Sequence, residues 1–182
     1  MNRVTAFILL IVLLPILIAV TLIIFIEDGA PIFFKQKRVG QNNVLFDIFK
    51  FRSMKKSTPN VATHLLVSPE SYLLRIGGVL RKLSLDELPN LINIIKGEMV
   101  FVGPRPALYN QDDLIALRVK AGVDGLKPGI TGLAQINGRD DISIEDKVAY
   151  DQEYYAQKSF WLDLKIILMT FITIFSIRGI SH

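Results

Sequence analysis

Cysteine is absent from this 182-residue chain, and histidine occurs only at His64 and His182. Disulfides, thiolate nucleophiles, iron–sulfur clusters and tetrahedral zinc sites therefore have no ligands. A bound metal would have to be held by oxygen, which favours magnesium, manganese or calcium. Charge is missing from one stretch, the 23 residues from Val4 to Ile26. The rest is of mixed composition and long enough for one domain to bury a core, which excludes two large domains and a multi-pass bundle. No internal repeat, low-complexity segment or linker marks a second domain.

What charge there is divides unevenly. From Lys35 to Arg105 there are 12 Lys and Arg against five Asp and Glu, whereas from Pro106 to Lys158 there are six against nine. A middle third this basic expects phosphates, acidic lipid headgroups or nucleic acid as company.

The uncharged run is long enough to cross a hydrocarbon layer about 30 Å thick. It is too long for the apolar core of a signal peptide, and Glu27-Asp28-Gly29-Ala30 is a poor cleavage site. Lys35, Lys37 and Arg38 would place the following domain in the cytoplasm if the run spans. Pro15, at its middle, cannot donate to the carbonyl of Ile11, so a kink or break is expected there. Two half-helices that dip into one leaflet and return are the alternative to a spanning helix. A second apolar patch, Ile166–Ile177, follows Phe160, Trp161 and Leu162. It is too short to span, and reads either as a helix lying along the headgroups or as a buried core helix.

Between these ends, residues 33–40 and 44–52 read as two strands joined by a turn at Gly40-Gln41-Asn42-Asn43, with a basic edge facing away from a small core. A mobile loop is expected across residues 55–69 and a helix from Tyr72 to Leu83. In the segment Ser84 to Asn90, Ser84 and Glu87 have the spacing of a capping box, which would make both acids structural. Alternatively Asp86 and Glu87, beside Arg81 and Lys82, form a phosphate-handling pair, one acid binding a divalent cation and the other attacking or accepting a proton. Adjacent helical residues point about 100° apart, so the two acids cannot share one task.

Gly97 ends the helix of residues 91–95, and residues 99–102 form a strand candidate leading into Gly103-Pro104-Arg105-Pro106. Two prolines stiffen the backbone around Arg105, whose planar fork matches phosphate oxygens. Gly129, Gly132 and Gly138 permit close backbone approach to a ligand but do not match a phosphate-loop or dinucleotide fingerprint. Asp140, Asp141, Glu145 and Asp146 look like a solvated helix start.

Lys50-Phe51-Arg52-Ser53-Met54, Leu83-Ser84-Leu85-Asp86-Glu87-Leu88-Pro89, residues 101–106, Lys127-Pro128-Gly129-Ile130-Thr131-Gly132, Ala134-Gln135 and Asn137-Gly138-Arg139 occur in an order that resembles the bacterial sugar transferase family, specifically its small monotopic phosphoglycosyl transferases. The resemblance implies an α/β (α+β) chain with three parts: a proline-broken re-entrant membrane helix at residues 1–28, hinged at Leu14-Pro15 where relatives have Ser-Pro; a cytoplasmic, membrane-associated catalytic domain at residues 29–182; and amphipathic C-terminal helices at the interface. It implies transfer of sugar 1-phosphate from a UDP-sugar to polyprenyl (undecaprenyl) phosphate with release of UMP, at the cytoplasmic face of the bacterial inner membrane. Asp86 is the implied nucleophile and Glu87 the implied magnesium ligand. Lys50, Arg81 and Arg105, with Gln135, Asn137 and Arg139, are the implied substrate-binding residues, and Asp163 an additional one. Membrane lipid is an implied partner and nucleic acid is not; a homo-oligomer stays open. The rivals are a membrane-bound glycosyltransferase that releases UDP and a non-catalytic basic module that binds nucleic acid or acidic lipid.

Overall fold

The computed structural model describes residues 2–59, 68–138 and 142–175. Its apolar start forms two helices, α1 (Asn2–Val12) and α2 (Leu14–Asp28), bent by 61°. The break falls at Leu13 rather than at Pro15. Proline is tolerated in the first turn of a helix, where its missing N–H has no partner to lose, and Pro15 occupies that position in α2. Leu14 is accordingly the first residue of α2. The flanking hydrogen bonds survive, Leu13 N donating to Leu9 O (2.9 Å) and Leu17 N to Leu13 O (3.0 Å). Among the described residues no single helix is long and apolar enough to cross a membrane, but the bent pair together has the length and composition.

Both half-helices rest on one folded body. Ala6 is fully buried with Ile94 and Met99, and Leu9, Leu10 and Leu13 pack onto the same cluster. Val20 and Ile24 join Phe51, Leu74 and Leu80 in a second cluster. The outer sides of the pair, with Phe7, Ile8, Ile11, Leu22, Phe25 and Ile26, are exposed apolar surface.

Strands β1 (Phe33–Val39) and β2 (Leu45–Phe51) form the expected antiparallel hairpin, in register from Phe33 opposite Phe51 to Val39 opposite Leu45. The alternation of β2 departs from expectation. Lys50 shares a face with the buried Phe46 and Ile48, so it points inward, while Phe51 turns to the cluster of Val20 and Ile24. The face of Phe46 and Ile48 packs with α1, and α2 reaches Phe51 on the other; Leu45 and Asp47 on that second face, with Lys35 and Lys37 of β1, stay exposed, so the basic side of the hairpin is carried by β1 rather than by Lys50 and Arg52.

Arg52, which continues that strand, is buried and clamps the exit of α2. Its guanidinium pairs with Asp28 and donates to the carbonyls of Gly29 (2.6 Å) and Pro31 (2.6 Å). Glu27 accepts from the backbone N–H of Arg75 at 2.6 Å. Replacing Arg52 with methionine leaves the Gly29 and Pro31 carbonyls without its guanidinium and Asp28 without its ion pair, and a loss of about 2–4 kcal/mol is expected. Thermal melting in detergent measures it, and an unchanged melting temperature rejects the clamp.

The helix expected from Tyr72 to Leu83 is shorter than its periodicity suggests. Residues 69–72 form a 3₁₀ turn, Leu73 is extended and bridges Met54, and α3 runs only from Gly77 to Lys82. Pairing wins over the helix because Leu74 N donates to Ser53 O (3.0 Å) and Lys55 N to Tyr72 O (2.8 Å). Gly77 then sits on the Ser53 carbonyl so closely that a side chain would collide with it. Of the loop expected at residues 55–69, residues 60–67 lie outside the described residues, as does His64.

Leu85–Asn90 is a 3₁₀ turn rather than the start of an α-helix, and α4 follows at Leu91–Lys96, ended by Gly97 in the left-handed region. Strand β3 (Val100–Val102) pairs in parallel with β4 (Gly129–Thr131), Val100 opposite Gly129 and Val102 opposite Thr131. The crossover carries α5 (Asp112–Lys120). Here the glycines serve the chain itself. A side chain at Gly129 or Gly132 would strike the backbone of Gly103, so their close approach is to β3's exit rather than to a ligand.

A short α6 (Leu133–Ile136) leads to α7 (Ile144–Gln157), which Ser143 caps by accepting from Asp146 N at 3.0 Å. Glu145 and Asp146 thus sit in a helical first turn as expected; Asp140 and Asp141 lie outside the described residues. The last helix, α8 (Phe160–Phe175), packs Ile166 against Val102 and Tyr154 while Phe160, Trp161, Leu168, Phe171 and Ile172 stay exposed. It joins the core on one side, as the buried-helix reading of the terminal patch has it, and keeps an exposed apolar surface on the other.

Candidate active site

Pro89 makes the segment after α3 coil too tightly for an α-helix, and the resulting 3₁₀ turn sets the geometry of the acid pair. Ser84 adopts a left-handed backbone (φ 53°) and caps nothing with its side chain, so the capping box does not form. The acids are released from that structural role. Strand β2 supplies Lys50, whose ammonium donates to Glu87 Oε1 at 2.7 Å, and the turn after β3 brings Arg105 Nη1 to 3.7 Å from the same oxygen. From α3, Arg81 leans over the end of β2 and donates from Nε to Ser53 Oγ at 2.9 Å.

Asp86 is partly buried, and burial raises its carboxyl to about 6, reinforced by Glu87 and opposed by Lys50 and Arg81. Burial also pushes the Arg81 guanidinium down, with Asp86 acting in the opposite direction. The two acids therefore differ in environment: Glu87 is held in direct ion pairs, whereas Asp86 is desolvated and steered by cations at longer range. A shallow depression beside them is lined by Arg38, Lys50, Glu87, Asn90 and Arg105, with Ile48 and Met99 among its apolar walls. Three cations against one carboxylate give it a positive balance.

The family described as bacterial sugar transferase matches this chain over residues 1–177. The chain belongs to the bacterial sugar transferase family. Among its relatives is a protein named uncharacterized sugar transferase EpsL from Bacillus subtilis (strain 168), 41% identical over 88% of this chain and 78% of that protein. Another is the exopolysaccharide production protein ExoY of Rhizobium meliloti (strain 1021), 36% identical over 91% of this chain and 79% of its own length. The UDP-glucose:undecaprenyl-phosphate glucose-1-phosphate transferase of Escherichia coli (strain K12) is 34% identical over 92% of this chain but 38% of its own.

Of the residues expected at the site in this sugar transferase, Lys50, Arg81, Asp86, Glu87 and Arg105 come together. Asn137 and Asp163 have protein partners of their own. Gln135 is buried, and its amide has no hydrogen-bond partner among the described residues. Asn137 donates to Leu133 O at 2.8 Å and closes α6. Asp163 accepts from the Tyr154 hydroxyl at 2.8 Å; that hydroxyl also lies 3.1 Å from Val102 O, so Asp163 supports the root of the Arg105 turn. Burial, reinforced by the Asp163 carboxylate, pushes the Tyr154 hydroxyl well above its ordinary range. Arg139 lies outside the described residues.

Sequence reasoning passed over Arg38, Ser53 and Asn90. Arg38 stands opposite Phe46 in the hairpin, on the same face as Gln36 and its partner Ile48. A strict period of two carried across the turn marks it as inward-facing, a signal obscured by counting it only as a cation after the apolar run.

Proposed function

We propose that this chain transfers sugar 1-phosphate from a UDP-sugar to undecaprenyl phosphate, through a phosphosugar intermediate on Asp86, and releases UMP. The observation that carries this reading is the acid pair itself, a desolvated Asp86 that feels Lys50 and Arg81 next to a Glu87 ion-paired with Lys50 and Arg105. The name of the Escherichia coli relative supports donor and acceptor.

In the first step a carboxylate oxygen of Asp86 attacks the phosphorus bonded to the sugar. The bond from that phosphorus to the bridging oxygen breaks, and its electron pair leaves with UMP. Lys50 and Arg105 offset the charge that gathers on the departing phosphate. In the second step an oxygen of the lipid phosphate attacks the same phosphorus, the bond to Asp86 breaks, and the carboxylate is restored.

Magnesium fits this donor set. It takes one or two carboxylates together with substrate phosphates and water, and Glu87 provides one, although no group of three or more His, Cys, Asp or Glu converges among the described residues. Glu87 would hold the ion, which when bound neutralises diphosphate charge.

The membrane reading has the helix pair at residues 1–28 re-entrant, its two ends on the cytoplasmic face of the bacterial inner membrane with the catalytic domain of residues 29–182. Supporting it, the Arg3 guanidinium lies against Gly97 while Asp28 pairs with Arg52, so both ends of the pair touch one folded body. A spanning helix would put them on opposite sides. The exposed apolar face of α8 supports contact with the same interface.

The test is mass spectrometry of the purified protein mixed with a panel of UDP-sugars and magnesium, alongside nucleotide analysis after undecaprenyl phosphate is added. One phosphosugar on Asp86 and accumulation of UMP are expected. UDP as the product, or an adduct on another side chain, overturns the reading.

A further inference from the structure

Pro104 and Pro106 stiffen the turn that presents Arg105 but have no N–H to donate, so its attachment to the body draws on what its carbonyls receive from elsewhere. Each from residue 104 to 107 has a donor. Pro104 O accepts from Gly129 N (2.9 Å) and Ala107 O from Val39 N (2.9 Å). The two between them take guanidinium groups, Arg105 O from Arg118 Nη1 (2.9 Å) and Pro106 O from Arg38 Nη1 (3.1 Å). Arg118 comes from α5, Arg38 from β1.

Arg118 is itself fixed from behind. Its Nε and Nη2 both reach Asp151 Oδ2 of α7, at 2.9 and 2.8 Å, and Asp151 is only 3% exposed. An ion pair buried this deeply between two helices gains little over a packed apolar pair, because desolvating both charges offsets their attraction. A packed apolar pair, however, has nothing to donate to the Arg105 carbonyl. Lysine also fails to replace the arrangement, since one ammonium cannot present a forked face to a carboxylate and a third N–H in another direction.

We infer that Arg118, held by Asp151, is a positioning residue for Arg105: it clamps the carbonyl of the residue whose guanidinium faces Glu87, with Arg38 clamping the next carbonyl from the strand side. The effect on phosphosugar transfer rests on the function proposed above; the effect on Arg105 itself does not. Neither Arg118 nor Asp151 lines the depression, so both act through the turn.

The test combines Arg118→Met with Asp151→Leu, which removes the side-chain donor to the Arg105 carbonyl without leaving a buried charge unpaired. In the otherwise intact protein, kcat/KM for the UDP-sugar is expected to fall about tenfold, and Arg118→Lys is expected not to restore it. In an Arg105→Ala background the same double change is expected to cost less than about twofold, because the residue it positions is gone. An equal loss in both backgrounds means that the ion pair is merely structural and overturns the inference.

A second readout needs no turnover. The rate at which phenylglyoxal modifies Arg105, followed by peptide mass spectrometry, is expected to change at least threefold in the double variant. Modification of the exposed Arg75 should stay constant. An unaltered Arg105 rate also overturns the inference, and this arm decides it even if the wild-type protein transfers no phosphosugar. Should the double variant fail to fold, the Arg105 modification rate is read on Arg118→Lys, which keeps a charge opposite Asp151 but not the third N–H; a change of at least threefold is again expected, and an unaltered rate overturns the inference.

Discussion

Asp86→Asn is expected to lower phosphosugar transfer by about 10⁴-fold or more while making the folded protein more stable at neutral pH. The first half follows from the loss of the attacking oxygen: the amide is nearly the same shape but cannot take up phosphorus. The second half follows from linkage. Burial raises the Asp86 carboxyl to about 6 in the folded state, against about 3.9 for an unfolded aspartate. Between those values the folded protein binds more protons than the unfolded one, so stability falls as pH rises through this window and stays low above it. Asparagine carries no such penalty and gains on the order of 1–3 kcal/mol at pH 7. The melting temperatures of mutant and wild type should therefore nearly coincide at pH 4 and separate by pH 7. Turnover by the mutant close to wild type would remove Asp86 from the mechanism, whatever the melting curves show.

Lys50→Met is expected to lower kcat/KM by about 10²–10³-fold and to move the acidic limb of its pH profile upward. Lys50 is the strongest influence holding the Asp86 carboxyl down, and it is also the 2.7 Å partner of Glu87. Without it Asp86 stays protonated to higher pH, and the diphosphate meets one cation fewer. Glu87→Gln acts on the limb in the opposite sense, because the neighbouring charge that raises Asp86 is gone, although activity falls here as well. Measuring kcat/KM from pH 5 to 8 for both variants separates the two effects. Limbs that coincide with wild type in both would show that Asp86 is not the titrating group.

Much of the chemistry is legible in local sequence. A paired Asp86-Glu87 next to Arg81, an uncharged run broken close to Pro15 and an arginine between two prolines are all statements about neighbours, and each corresponds to a feature of the folded protein, the break itself falling at Leu13. Errors arose where a distant segment competed for the same backbone. The period of residues 72–83 favours a helix, but its first half is drawn into pairing with Ser53 and Met54. Ser84 and Glu87 have capping-box spacing, yet Pro89 and the left-handed Ser84 tighten the segment into a 3₁₀ turn. The glycines at 129 and 132 signal close approach correctly without revealing that the approaching group is Gly103.

Residue order alone was enough for the inventory of the site: the kinds of group present, the exclusion of thiol and zinc chemistry, the apolar entry and its interruption. Which groups meet was settled in three dimensions. Lys50 reaches Glu87 across 37 positions, and Arg38 reaches Pro106 across 68. Such meetings depend on hairpin register, on a parallel crossover and on two helices reaching opposite faces of β2. A side chain's charge and a proline's missing N–H belong to the residue wherever it stands; the partner that meets them exists only once the chain has closed on itself.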